Sequence, residues 1–113
     1  MLAIDGEGAT KFITIKVNKA RTFEEARTAA LAIANSPLFK TAVYGENPNF
    51  GRIACAVGGS GIDVTEKDLK VHMGPLNKEN VFVSVSLSKG NASCTVYTSD
   101  LTPKYIKINA EYN

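Results

Sequence analysis

The 113 residues suit a single domain, and at that length folding hides roughly two thirds of the unfolded surface, enough for a core without staples. With 44% hydrophobic and 21% charged residues, the chain is neither a disordered tail nor a membrane span. A net charge of only +2 gives no support to a nucleic-acid or membrane-surface partner, and two cysteines with one histidine exclude most metal sites.

Met1-Leu2-Ala3-Ile4 runs at once into Asp5-Gly6-Glu7-Gly8, too short an apolar stretch for a signal peptide. No apolar run approaches the ~20 residues of a membrane helix. A cytoplasmic setting is the expectation. Lys11 to Val17 alternates, with Ile13, Ile15 and Val17 on one face, and predicts a half-buried strand. Thr22 and Glu25 have capping-box spacing, and Ala26, Ala29, Ala30, Ile33 and Ala34 form the apolar stripe of the helix that follows. Alanine along that stripe implies close approach to a sheet. Asn35-Ser36-Pro37 stops the helix, because proline disfavours helical geometry at the residue before it.

Lys40 to Tyr44 reads as a short strand. Asn47, followed by Pro48, is the expected cap of a second helix, on which Phe50, Ile53, Ala54 and Val57 share a face. Gly58-Gly59-Ser60-Gly61 ends it as a glycine cap. Three strands are expected next, Leu69 to Met73, Val81 to Leu87 and Ala92 to Thr98, with Ser88 to Asn91 turning the last two into a hairpin. The tail is ambiguous. Thr102-Pro103 looks like a helix start, Tyr105 to Ile108 alternates like a strand, and a short helix is the reading adopted. The sum is an α+β or α/β layered domain, a mixed sheet of about five strands with two to three helices packed on it.

Few residues stand out chemically. Gly58 to Gly61 follows a helix and lacks the lysine of a phosphate loop, so it is a cap. Glu7, between two glycines, sits either in a polar turn or at a site a ligand can approach closely. His72 has neither a second histidine nor an acidic neighbour and reads as a surface strand residue. Ser60 and Ser93 lack an activating base. Glu24, Glu25, Glu66 and Asp68 read as solvated charges. Arg52 either clamps a carboxylate or bonds the loop before it. Cys55 and Cys94 lie in apolar segments and are expected to be free, buried and structural.

Asp5 to Lys11, Ala32 to Leu38, Lys40-Thr41-Ala42, Gly45 to Arg52 and Asp100-Leu101-Thr102 through to Tyr112 together resemble the ornithine acetyltransferase family. The likeness runs in order over nearly all 113 positions and is to the carboxy-terminal part of that enzyme's β chain. The resemblance implies acetyl transfer from N-acetylornithine to glutamate, with acetyl-CoA as an additional donor in some members and no cofactor. It also implies a precursor that cuts itself before a threonine, giving α and β chains. The new amino-terminal threonine is the nucleophile, with its own α-amine as base and an oxyanion hole in the α chain.

Carried over residue by residue, Glu7 and Asn109 match substrate-binding positions. Catalytic residues of the family have no match in this chain. Ala9-Thr10 looks like a cut site, but the family's scissile pair belongs to another motif, far upstream. The family's last threonine would lie one residue beyond Asn113. Phe50 replaces a tryptophan, and the segment between Met73 and Val81 is compressed. The expected partners are therefore the α chain and the amino-terminal part of the β chain. The alternative is a free-standing binding or assembly module that keeps the fold without catalysis.

Overall fold

The computed structural model describes residues 11–100 and 107–111, the last five by their backbone. In chain order these form β1 (Phe12–Ala20), α1 (Phe23–Ala34), α2 (Pro37–Tyr44), α3 (Phe50–Gly58), a 3-10 turn (Glu66–Asp68), β2 (Lys70–Met73), β3 (Asn80–Ser86), β4 (Ala92–Ser99) and β5 (Lys107–Glu111). The five strands make one mixed sheet in the order β2-β3-β1-β4-β5. β1 runs parallel to β3, and the other neighbouring pairs are antiparallel. α1 packs across β1 and β4, with α3 against α1. This is the α+β layered domain that the sequence implies.

The pleat sends alternate residues to the helical side. Ile13, Ile15 and Val17 of β1, Val81, Val83 and Val85 of β3, and Cys94 and Val96 of β4 are buried there. They meet Ala26, Ala29, Ala30, Ile33 and Ala34 of α1, whose small side chains let the helix lie close. Burying each valine or isoleucine contributes about 1.5–3 kcal/mol. At the start of α1 the Glu25 N–H donates to Thr22 Oγ1 at 3.0 Å, as the capping spacing predicts. The Glu25 carboxylate, however, accepts from the Arg21 N–H at 2.9 Å, one residue earlier than a strict capping box, because it also pairs with the Arg21 guanidinium.

Several expectations are corrected. Residues 40–44 belong to α2. Ser36 accepts from the Phe39 N–H at 3.2 Å and Pro37 occupies the first helical position, so the pair that stops α1 also starts α2. Phe39, Ala42 and Val43 are then buried at helical spacing. Second, α3 is capped by Asn49, whose Oδ1 accepts from the Arg52 N–H at 3.1 Å. The Asn47 N–H is already committed to closing α2, donating to the Ala42 carbonyl at 2.8 Å. Only Ile53 and Val57 of α3 are fully buried, and Phe50 is half exposed. Cys55, two residues or about 200° round the helix from Ile53, is exposed and not buried as expected.

Third, residues 88–91 do not form a hairpin, because β1 lies between β3 and β4. The link steps over the bulged end of β1, where the Lys89 and Gly90 N–H groups donate to the Lys19 carbonyl at 2.8 and 3.0 Å. Last, residues 107–111 are a strand, antiparallel to β4, in place of the expected short helix. Pairing with the outer edge of β4 decides the ambiguity; Thr102-Pro103 lie outside the described residues.

Two outcomes follow from this packing. A Cβ at Gly90 would stand 2.4 Å from the Ala20 carbonyl oxygen and 3.0 Å from Arg21 Cα, both backbone atoms that cannot swing aside. Gly90→Ala therefore costs about 1–3 kcal/mol in urea unfolding, and an unchanged midpoint would refute the crossing. Thiol titration of the native chain should detect one reactive group, Cys55, and a second only on denaturation, when Cys94 is released. Two reactive thiols, or none, before denaturation would contradict this placement.

Candidate functional site

At the end of the sheet where β1 begins and β4 finishes, a buried charged cluster gathers residues from distant parts of the chain. The last ladder pair is Phe12 with Ser99. One residue further out, the Asp100 N–H donates to the Lys11 carbonyl at 3.2 Å, and the Lys11 N–H donates to Asp100 Oδ1 at 3.0 Å. The carboxylate thus takes the place of a strand carbonyl and extends the ladder after β4 has ended. Such a charge-assisted bond contributes about 1.5–3 kcal/mol.

Lys11 falls on the same side of the pleat as Ile13 and Ile15, so its stem is buried under the helices, with 5% of the side chain exposed. Its Nζ donates to Glu46 Oε2 at 3.2 Å, just beyond the end of α2. Lys40, also buried, projects from α2 into the field of Asp100. Burial pushes the Lys40 ammonium below the ordinary lysine value of 10.5, and the Asp100 carboxylate pulls it partly back. Arg52 Nη1 donates to the Leu38 carbonyl at 2.7 Å and ties α3 to the first turn of α2. That settles Arg52 as a structural bond, though to α2 rather than to the loop before it.

These contacts join all five stretches that carry the family resemblance. Lys11 closes the first, Leu38 the second, Lys40 opens the third, Glu46 and Arg52 lie in the fourth, and Asp100 opens the fifth. Sequence reading missed Lys11, Lys40, Glu46 and Asp100 as a set, because each alone looks like a solvated charge. Their shared membership of the motifs was the available signal.

Of the two residues singled out for substrate, Glu7 lies outside the described residues, four positions before Lys11. Asn109 stands on β5 in register with Thr95, which is itself in register with Lys16. His72 is exposed on β2, opposite Ser84, far along the sheet order from β4. The Ser60 hydroxyl donates to the Val57 carbonyl and finishes the cap of α3. A concavity of about 350 Å³ runs between α3 and residues 64–69, lined by Gly51, Ala54, Cys55, Gly58, Thr65 and Leu69 among others. Among the described residues no group of three His, Cys, Asp or Glu side chains is gathered as a metal needs, and no helix is long and apolar enough to cross a membrane. The cluster at the end of the sheet holds paired charges without a nucleophile and base in contact. Its chemistry is that of holding and orienting.

A sequence model of the ArgJ family matches residues 1–77 and 72–113. Among curated proteins, the arginine biosynthesis bifunctional protein ArgJ of Chlorobaculum tepidum is 39% identical over 132 aligned positions, covering 99% of this chain and 33% of the relative. The protein of the same name from Neisseria meningitidis serogroup A is 41% identical, with 96% and 32% covered. The chain therefore spans about a third of the length of these relatives. A crystal structure of the arginine biosynthesis bifunctional protein ArgJ from Bacillus halodurans superposes with a TM-score of 0.77 at 35% identity, covering 88% of this chain and 56% of that one. The 132 aligned positions exceed the 113 residues present, and the two family matches meet at 72–77, where β2 turns into β3.

Lys40 gives the cluster a pH signature. Its lowered value in the folded chain means that the unfolded state holds more protons between that value and 10.5, so stability rises with pH across this window. The urea midpoint should rise for the native sequence relative to Lys40→Met as pH climbs from neutrality towards 10.5. Parallel pH profiles for the two proteins would contradict the buried placement.

Proposed function

The chain belongs to the ArgJ family, and from that premise we propose that it serves as the carboxy-terminal domain of an arginine-biosynthesis N-acetyltransferase. The reaction moves the acetyl group of N-acetylornithine to glutamate. Residues 1–113 form a single domain in this reading, which places Glu7 and Asn109 at the substrate. The threonine nucleophile and the oxyanion hole come from the α chain and the amino-terminal part of the β chain. No cofactor is needed, since the acetyl group travels on the substrates, with acetyl-CoA as a further donor. The setting is cytoplasmic.

The supporting observation is that Lys11, Lys40, Glu46 and Asp100, from four of the five motif stretches, gather at one end of the sheet. A carboxylate at Glu7 complements an ornithine ammonium group, and the paired charges of the cluster are held in fixed positions. Orientation of this kind lowers the barrier by placing the acyl group against a nucleophile held elsewhere.

One observation favours the non-catalytic module. The β2–β3 connection, where the family resemblance implies a longer segment, is closed tightly by the Gly74 N–H on the Phe82 carbonyl at 2.8 Å, and Phe82 is 62% exposed there.

Substituting this chain for the matching third of the C. tepidum relative separates the two readings. The acetyltransferase reading expects acetyl transfer from N-acetylornithine to glutamate by the chimera, and none by the 113 residues alone. Within the chimera, Glu7→Gln removes a charge-assisted bond of about 1.5–3 kcal/mol and weakens N-acetylornithine binding roughly 10- to 150-fold at unchanged melting temperature. An assembled chimera without turnover would favour the module.

A further inference from the structure

β2 forms one edge of the sheet, and among the described residues no strand lies on its outer side. The Gly74 N–H donates inward to the Phe82 carbonyl at 2.8 Å, in step with the ladder that pairs His72 with Ser84 and Lys70 with Ser86. Bonded and non-bonded pairs alternate along an antiparallel ladder, so Val71 and Met73 turn their N–H and C=O groups outward. Such an edge is a template for another extended segment.

Side chains at this edge are sorted by face. Leu69, Val71 and Met73 lie partly buried on the helical side, against the core. Beside them a groove of about 300 Å³ runs along α3, lined by Phe50, Gly51, Ala54, Leu69 and Val71, with Glu66. Phe50 is half exposed there. On the other side of the sheet Lys70 and His72 are exposed, and Lys70 pairs with no carboxylate among the described residues.

Facing residues of neighbouring strands share a side of the sheet. A segment beside β2 would therefore bring apolar side chains to the groove and acidic ones opposite Lys70. A second copy of β2 fits poorly, because it would set lysine and histidine against the same pair. The family resemblance implies a longer segment between Met73 and Val81, and the two family matches meet at 72–77, the turn beside this edge. The edge is thus open next to a connection that is shorter than the resemblance implies.

We propose that β2 and the groove along α3 take up an extended segment of another polypeptide as a further strand, its apolar residues in the groove and its acidic residues opposite Lys70. Docking of this kind holds with or without acetyl transfer, since Glu7 and Asn109 take no part in it.

Two peptides test it on the 113-residue chain, one alternating valine with glutamate and the other valine with lysine. The glutamate peptide should shift the amide resonances of residues 69–74, Gly51 and Ala54, and slow hydrogen exchange at Val71 and Met73. It should bind about tenfold more tightly than the lysine peptide, and Lys70→Glu should reverse that order. Val71→Pro removes an outward N–H, a change that edge strands tolerate, and should abolish binding at a nearly unchanged melting temperature. Lys70→Glu decides the matter if the proline variant unfolds. No shifts at about 1 mM peptide, or shifts away from β2, overturn the proposal. Equal binding of the two peptides overturns it too, as does self-association of the free chain through the same amides.

Discussion

The bond between the Lys11 N–H and Asp100 Oδ1 joins residues 89 apart in the chain and closes the sheet at the end where β1 begins. Without it, the backbone donor of Lys11, just before β1, would be buried unpaired, a loss of about 1–3 kcal/mol. With it, β1 is held on both sides from its first residue, because the Phe12 N–H already donates to the Glu79 carbonyl at 2.8 Å. The Lys11 side chain is thereby directed under the helices, where Glu46 meets it. Lys40 of α2 then lies near Asp100, so one carboxylate serves the ladder through hydrogen bonding and the buried lysine through charge.

Local pattern was enough for the parts of the fold that bury one face against one layer. β1 and β3 alternate because only one side meets α1, and the alanine stripe of α1 announces how near that helix lies. α2 was also written in the sequence, since Ser36-Pro37 is as good a start as it is a stop. The crossing at 88–91 was not legible in that way. A four-residue link looks the same whether its strands are neighbours or are separated by a third, and only the position of β1 decides. The tail shows the same limit: the outer edge of β4 makes residues 107–111 a strand, and no local feature records that edge.

The cluster at the end of the sheet was legible only as words of a resemblance. Burial of Lys11 and Lys40 is a property of how α2 seats over the strand ends, and neither residue lies in an apolar run that would have exposed the conflict. Arg52 is a milder case: its structural bond goes to Leu38, a partner that exists only because residues 37–44 are helical. The family match also places this chain at about a third of its relatives. The β2–β3 turn lies at the opposite edge of the sheet order from β5, remote from the strand on which Asn109 stands.

Amide hydrogen exchange of Lys11 probes the central contact directly, since protection of that N–H depends on a side chain 89 residues away rather than on a strand carbonyl. If Asp100 completes the ladder, the Lys11 amide exchanges as slowly as those of Ile13 and Ile15 within β1. Exchange at the rate of an exposed turn amide such as Gly61 would mean that the ladder ends at Phe12, and that the charged cluster does not hold the start of the strand.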